Sequence, residues 1–321
     1  MNNPTKKQHY VPRKYLRKWC DENDSFFPIK VESKQPAKVE IFDQESNPER
    51  YCYENFFYAK QTGKYDEFSQ LVEKDFTEVE NSFWDKLPSV EEKILNNQQI
   101  LPEEKWLIAG FGIMLWLRGK KYREWSNQMS EDLIKWIMKS QIRMADKDPK
   151  FMKELREHGL THEEMIEFAD KEEYKVKISN TQSLRLFESY EQFSNLLFYK
   201  YWRVYISKDG KFITTDSPYL DLTTYEEKPN FFGQTFLMRK QYLVLSPYIL
   251  IEAIHPHNNS GKKFKRIDIT GNKGFIHYLN SMLLMNANMF GFHSDKENLE
   301  ELKKVISFMD SNKEMFISKS N

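Results

Sequence analysis

The fold class turns on residues 201–218, which read YWRVYISKDGKFITTDSP. Two β-rich runs, Tyr201–Ile206 and Phe212–Thr215, flank Lys208-Asp209-Gly210, a turn of the kind that closes a hairpin. Pro218 stops the second run, because proline has no N–H to give to a ladder. Downstream lie Phe236–Leu245 and Tyr248–Ile254, separated by Ser246-Pro247, and a short strand at Ile267–Thr270. The spacing then predicts two helices, Lys273–Phe290 and Glu297–Met309. Upstream, a helix from Thr181 to Leu197 leads into the β part.

The N-terminal half is mostly helical. Phe68, Leu71, Val72, Phe76, Val79, Phe83 and Leu87 recur at three and four, an amphipathic helix beginning near Lys64 and ending before Pro88. Pro102 opens a helix to Arg118 whose first turns are apolar on every side, as in a helix buried all round. Residues 21–63 read as short strands and loops, Phe26–Val31 and Ala37–Phe42 among them. Residues 127–180 are rich in Lys, Glu, Asp and Met and are broken at Asp148-Pro149 and Gly159, which reads as short surface helices in a peripheral lobe. Helices with several antiparallel strands and no regular βαβ alternation give an α+β class. The expectation is a single domain over 1–321, a central helical bundle packed against a small antiparallel sheet, with the charged helical insertion at 127–180.

The chain has 321 residues, 40% hydrophobic and 15% aromatic, which is enough to fill a large core. Lys+Arg and Asp+Glu both number 48, so no overall field draws the chain to DNA or a membrane. Only 11 glycines are present, with no GxxxxGK[ST] and no GxGxxG, which argues against a P-loop or a Rossmann site. Cys20 and Cys52 are too few for a disulfide framework or a cysteine-rich zinc site. The apolar run Trp106–Leu117 is too short for a bilayer, and the start is polar and basic with no signal-peptide core. These features point to a soluble cytoplasmic protein with no membrane partner and no cofactor.

Against a neutral whole, residues 1–18 carry Lys6, Lys7, Arg13, Lys14, Arg17 and Lys18 and no acid. Pro12 suits a first helical turn, with Tyr15, Leu16 and Trp19 forming an apolar stripe that needs a partner in the late β part. Gln8 and His9 would then precede a helix N-terminus that attracts anions, Arg13 and Lys14 adding charge. His9 titrates near neutrality and can act as acid or base, or it can simply cap the helix. Arg118, leaving a buried helix, needs a carboxylate or a cavity, and Asp216 at a strand end is its most attractive partner. Asp216 equally suits a turn in which its oxygen takes an N–H two residues on. Asn280, on an apolar helix face, is either a buried hydrogen-bonding post or the wall of a site. His255-Pro256-His257 reads as a polar loop, and His158 with His162 is interrupted by Gly159, so no metal site is expected. Ser217 lacks the glycines of a nucleophile elbow. The aromatic groups Tyr51, Tyr53, Phe56, Phe57 and Tyr58, and Phe198, Tyr199, Tyr201 and Trp202, read as core before they read as base-stacking platforms.

Lys7-Gln8-His9-Tyr10-Val11-Pro12-Arg13-Lys14-Tyr15-Leu16 resembles the Gln-His-x-x-Pro-x-x-Tyr-Leu opening of the bacterial domain-of-unknown-function family 4238. Ala109–Arg118, Phe212–Pro218 and the segment from Leu279-Asn280 to Asn286-Ala287 are similar to later elements of that family, with Ser217 standing where Asn is usual. The resemblance runs from about residue 6 to about 293 and implies no activity. Two functions are therefore weighed on the residues. In the first, a pocket of His9, Arg118 and Asp216, with Gln8, Arg13, Lys14 and Asn280 as binding groups, hydrolyses a phosphate-bearing substrate, nucleic acid or nucleotide, without a metal. In the second, the basic N-terminal helix of a non-enzymatic binding or interaction protein contacts an acidic partner or RNA.

Overall fold

The computed structural model describes residues 4–32, 38–179, 186–222, 240–255 and 264–311. In chain order its elements are β1 (Lys7–His9), α1 (Arg13–Leu16), β2 (Phe27–Glu32), β3 (Lys38–Ile41), β4 (Tyr53–Asn55), α2 (Glu67–Trp84), α3 (Leu87–Leu95), α4 (Pro102–Arg118) and α5 (Lys120–Met144). There follow α6 (Pro149–Glu157), α7 (His162–Lys171), α8 (Tyr190–Tyr199), β5 (Tyr201–Ile206), β6 (Thr214–Thr215), β7 (Tyr219–Leu222), β8 (Lys240–Ser246), β9 (Ile249–Ile254), β10 (Phe264–Asp268), α9 (Lys273–Met285), β11 (Phe290–His293) and α10 (Lys296–Ser311). The class is α+β.

The strands form three sheets. β1 and β4 make a two-stranded ribbon, β10-β5-β9-β8-β7 a five-stranded sheet and β3-β2-β11-β6 a four-stranded one. The expected purely antiparallel sheet is corrected in one respect, since β10 runs parallel to β5.

Helix starts follow local chemistry. Asp66 takes the Ser69 N–H at 2.8 Å to begin α2, which turns Phe76 and Phe83 into the core and, against the expected stripe, leaves Leu71 exposed. Pro102 occupies the first turn of α4 while the Glu104 carboxylate takes the Leu101 N–H at 2.8 Å. Ile108 to Leu115 are then buried on every face, as the apolar run requires. Where short helices were expected after residue 127, α5 is one helix of 25 residues, starting directly after Gly119. Its outer side carries exposed Trp125, Met129, Leu133, Trp136 and Ile137. The expected helix 181–197 is described only from residue 186, the strand 236–245 only from 240, and Pro256 and His257 lie outside the described residues.

The expected hairpin does not form. The turn itself is there: Gly210 has φ +65° and donates to the Ser207 carbonyl at 3.0 Å. The strands on either side nevertheless part, β5 pairing with β9 and β10, and β6 with β11 in the other sheet. Other groups claim the backbone after the turn. Asn280 takes the Ile213 N–H at 3.2 Å and donates to the Lys211 carbonyl at 2.8 Å, while the Trp19 indole donates to the Phe212 carbonyl at 2.8 Å.

The late helix also ends earlier than expected. α9 stops at Met285, and residues 290–293 are the strand β11, wedged between β2 and β6. Gly291 makes that wedge possible, because a Cβ there would sit 2.9 Å from Leu284 Cδ1 and 3.0 Å from Ile29 Cγ2.

Candidate functional site

The opening motif is a staple more than a loop. Gln8 is fully buried in β1; its amide donates to the Ser69 carbonyl at 3.1 Å and accepts the Tyr58 N–H at 2.9 Å. Tyr15 reaches Thr214 Oγ1 at 3.0 Å and donates to the Val244 carbonyl at 2.6 Å, and Lys18 donates to the Leu245 carbonyl at 3.1 Å. The N-terminal segment is thus docked on the late strands. Because α1 has only four residues and Gln8 and His9 lie in a strand, no helix dipole stands behind the anion attraction expected at this end. Whatever holds an anion there must be side chains.

Arg118 is 3% exposed and is shared among three elements. Its Nε donates to Tyr58 Oη at 3.0 Å, its Nη2 donates to the His9 carbonyl, and its Nη1 pairs with Glu80. The plane lies 4.6 Å from the Phe76 ring. Glu80, not Asp216, is its carboxylate partner. The expected pairing fails because Asp216 is spent elsewhere: Oδ1 accepts the Asn288 N–H at 2.8 Å, and Oδ2 accepts those of Met289 and Phe290 at 2.9 and 3.1 Å. Nor is this the local turn, since the N–H groups arrive from far along the chain. Burial pushes the Asp216 carboxyl up to about 6, against the pull of those three donors and of Lys120. Asn280, with both ends of its amide on residues 211–213, is a post and not a wall.

What remains of the expected set converges on one cleft of about 370 Å³. Lys7, His9, Arg13 and Lys14 form one wall, Glu73, Thr77, Glu80 and Asn81 of α2 the other, with Arg118 between and Glu49 at the edge. Asp216, Gln8 and Asn280 are not among its lining residues. Arg13 is half exposed and paired with Glu49 at 3.1 Å. The sequence reading missed Glu73 and Glu80. Their seven-residue spacing, with Thr77 between, puts them on one face of α2, but such a face reads as solvated until β1 is known to cross it.

Two atoms in this cleft stand out. His9 Nε2 and Glu73 Oε2 are both buried with no hydrogen-bond partner among the described residues. Burial lowers the His9 imidazole to about 4, Arg13, Arg118 and Lys7 adding to the effect against a hydrogen bond to the Pro48 carbonyl. Burial raises the Glu73 carboxyl, with Arg118 and Arg13 opposing. At neutral pH the imidazole is uncharged. One ring nitrogen then carries the proton and the other a lone pair, and Nε2 has no partner among the described residues.

Other candidates resolve simply. His162 donates to the Ile142 carbonyl at 2.6 Å, and Phe57 and Tyr58 are buried in the core. Among the described residues no group of three or more His, Cys, Asp or Glu is placed to hold a metal ion, and no helix is long and apolar enough to cross a membrane.

The fold and site define an α+β protein with a mixed-charge cleft built between its N-terminal strand and its first long helix. The chain belongs to the family described as Protein of unknown function (DUF4238), which it matches over residues 7–297. No curated protein and no solved structure matches it.

Proposed function

We propose that the protein is a hydrolase acting on a phosphate-bearing substrate, nucleotide or nucleic acid, in the cleft between β1 and α2. The observation that carries this is the pair of bare buried atoms, His9 Nε2 and Glu73 Oε2, set in one cleft beside Lys7, Arg13 and Lys14. Leaving a buried polar atom unsatisfied costs about 1–3 kcal/mol, and two in one concavity support a bound ligand as the missing partner. In this reading His9 is the proton acceptor and Glu73 the proton donor, and Lys7, Arg13 and Lys14 hold the phosphate. Arg118 is a positioning residue that fixes the His9 backbone. Asp216 leaves the catalytic set. Cys20 and Cys52, both free thiols, suit a reducing cytoplasm. The chain is read as one domain, a helical bundle on its sheets, with 127–180 as a peripheral lobe.

The test is a panel of RNA, single- and double-stranded DNA and nucleotides, with and without chelator, against wild type and His9→Asn. Turnover of a phosphate ester that His9→Asn abolishes is expected; activity indifferent to that change, or none on any substrate, removes the reading. The second reading, a binding protein, is favoured by the exposure of Arg13, Lys14 and Arg17 on one side of the N-terminal segment. It takes over if RNA is bound and never turned over.

A further inference from the structure

Resting on that reading, we propose that the substrate is single-stranded RNA, cleaved by attack of its own 2′-hydroxyl on the neighbouring phosphate in the His9–Glu73 cleft. The argument begins with what the two bare atoms lack. His9 Nε2 belongs to a neutral imidazole and, in the tautomer with the proton on Nδ1, offers a lone pair, and Glu73 Oε2 belongs to a carboxyl that burial shifts toward its protonated form. That lone pair asks for an O–H or N–H, the Glu73 carboxyl can give a proton, and Lys7, Arg13 and Lys14 ask for negative charge. The ligand must therefore bring a donor and an anion close together. A DNA phosphodiester brings only acceptors at its backbone. A ribose phosphate brings a 2′-hydroxyl directly beside the 3′-phosphate.

The size of the cleft agrees with this. At about 370 Å³ it lies at the small end of the range of roughly 300–1,000 Å³ for small-molecule sites, which suits one nucleotide unit and not a duplex. The chemistry balances without a metal, water or a redox partner. His9 Nε2 takes the proton of the 2′-hydroxyl; O2′ forms a bond to phosphorus; the P–O5′ bond breaks; the protonated Glu73 carboxyl gives its proton to O5′. The products are a strand ending in a 2′,3′-cyclic phosphate and a strand beginning with a 5′-hydroxyl. Solvent then returns the proton from His9 to Glu73. The phosphate keeps its negative charge throughout, and Arg13 and Lys14 stabilise the extra charge of the five-coordinate transition state.

The experiment uses the full chain with four end-labelled single strands of one sequence: RNA, DNA, fully 2′-O-methylated RNA, and DNA with one ribonucleotide. Products are identified by mass spectrometry in the presence of chelator, and binding is followed by fluorescence anisotropy. Cleavage of the RNA, and of the mixed strand at its single ribonucleotide only, with a cyclic phosphate as first product, is expected. The 2′-O-methyl strand should bind within about tenfold of RNA, since phosphate contacts carry most of such affinity, and remain uncut. His9→Ala and Glu73→Gln should each slow cleavage by about 10²–10⁴-fold, the usual range for one acid–base group, with added imidazole restoring part of the rate of His9→Ala. That rescue separates lost chemistry from lost folding. Cleavage of DNA or 2′-O-methyl RNA at the RNA rate, or linear phosphate products from the outset, overturns the internal attack and leaves the hydrolase reading standing. Hydrolysis of nucleotides with RNA left intact does the same. Binding without cleavage overturns both in favour of a binding protein, and neither binding nor turnover overturns the cleft as a phosphate site.

Discussion

Asp216 and Glu73 are both carboxylates drawn away from water, and their surroundings differ in what they leave undone. At the corner between β6 and β11, three backbone N–H groups close on Asp216, so that both its oxygens are used. In the cleft between β1 and α2, Glu73 keeps a bare Oε2 within the same concavity as a bare imidazole nitrogen. Each carboxyl is raised by burial. At the corner the desolvation is offset by bonds that organise the chain: they end α9, begin β11 and hold residues 288–290 to the strand end. In the cleft only the charges of Arg118 and Arg13 oppose it, and Oε2 is left without a hydrogen bond. A perturbed carboxylate therefore marks a site only when its hydrogen-bonding capacity is left open, and a closed one marks an architectural joint.

The largest expected effect lies where the two regions were expected to meet. Arg118→Ala strands Glu80 and frees the His9 carbonyl, and should cost about 3–5 kcal/mol in urea unfolding, the range for breaking a buried pair. Adding Glu80→Gln should recover part of that loss, whereas adding Asp216→Asn should not; the reverse pattern in a double-mutant cycle would show that Arg118 answers to Asp216 after all. Next comes Asp216→Ala, which leaves three buried N–H groups open at roughly 1–3 kcal/mol each before relaxation and should cost about 3 kcal/mol. A loss under about 1 kcal/mol would mean that the joint is not closed as described. The pH dependence has a definite sign. With the folded carboxyl at about 6 against an ordinary value of 3.8, the folded state holds this proton more tightly. Its contribution is full below pH 3.8 and is lost as the pH rises through 6. Asp216→Asn should flatten that part of the stability curve.

How much of this was legible depends on the length scale of the signal. α4 could be read end to end, because Pro102, Glu104 and an unbroken apolar run carry local and periodic information together. The docking of the N-terminal segment was legible from the stripe of Tyr15, Leu16 and Trp19. The Lys208-Asp209-Gly210 turn was legible as a turn but not as a strand pairing, since Asn280 and Trp19 decide the latter from 67 and 193 residues away. β1 and β4, three residues each, are too short to show a period. In the site, His9 and Arg13 announced themselves through local charge. Glu73 and Glu80 did not, because a carboxylate on a helix face looks the same whether water or another strand lies over it.

The third effect concerns His9. Its folded value of about 4 lies below the ordinary 6.5, so between these limits the unfolded chain binds the proton more tightly. Stability from this group is complete above pH 6.5 and is lost as the pH falls towards 4. Because the ring is partly exposed, solvent screening should hold the loss to about 1–2 kcal/mol. His9→Asn should remove this slope while leaving the Asp216 slope, of opposite sign, untouched. NMR titration offers a sharper view: a bound phosphate cancels part of the repulsion from Arg13 and Lys7, so the His9 resonance should titrate at higher pH when inorganic phosphate is present. An unchanged midpoint would separate His9 from the anion site.

The smallest expected effect is the most diagnostic. Glu73→Gln keeps the shape of the side chain and removes the charge that burial penalises. The folded carboxyl sits above its ordinary value, so its favourable contribution belongs to acid pH, and at neutral pH the ionised form is a cost. Neutralising it should therefore stabilise the protein, by about 0.5–1 kcal/mol at neutral pH as for other relieved functional sites, and by nothing measurable once the wild-type carboxyl is itself protonated. Asp216→Asn, in contrast, exchanges an acceptor for a donor against three N–H groups and should destabilise at neutral pH. Opposite signs for the same chemical change, read by the same unfolding assay, are what an open and a closed carboxylate require. If Glu73→Gln destabilises as Asp216→Asn does, Glu73 is a second joint, and the cleft loses its proton donor along with the reason to look there for catalysis.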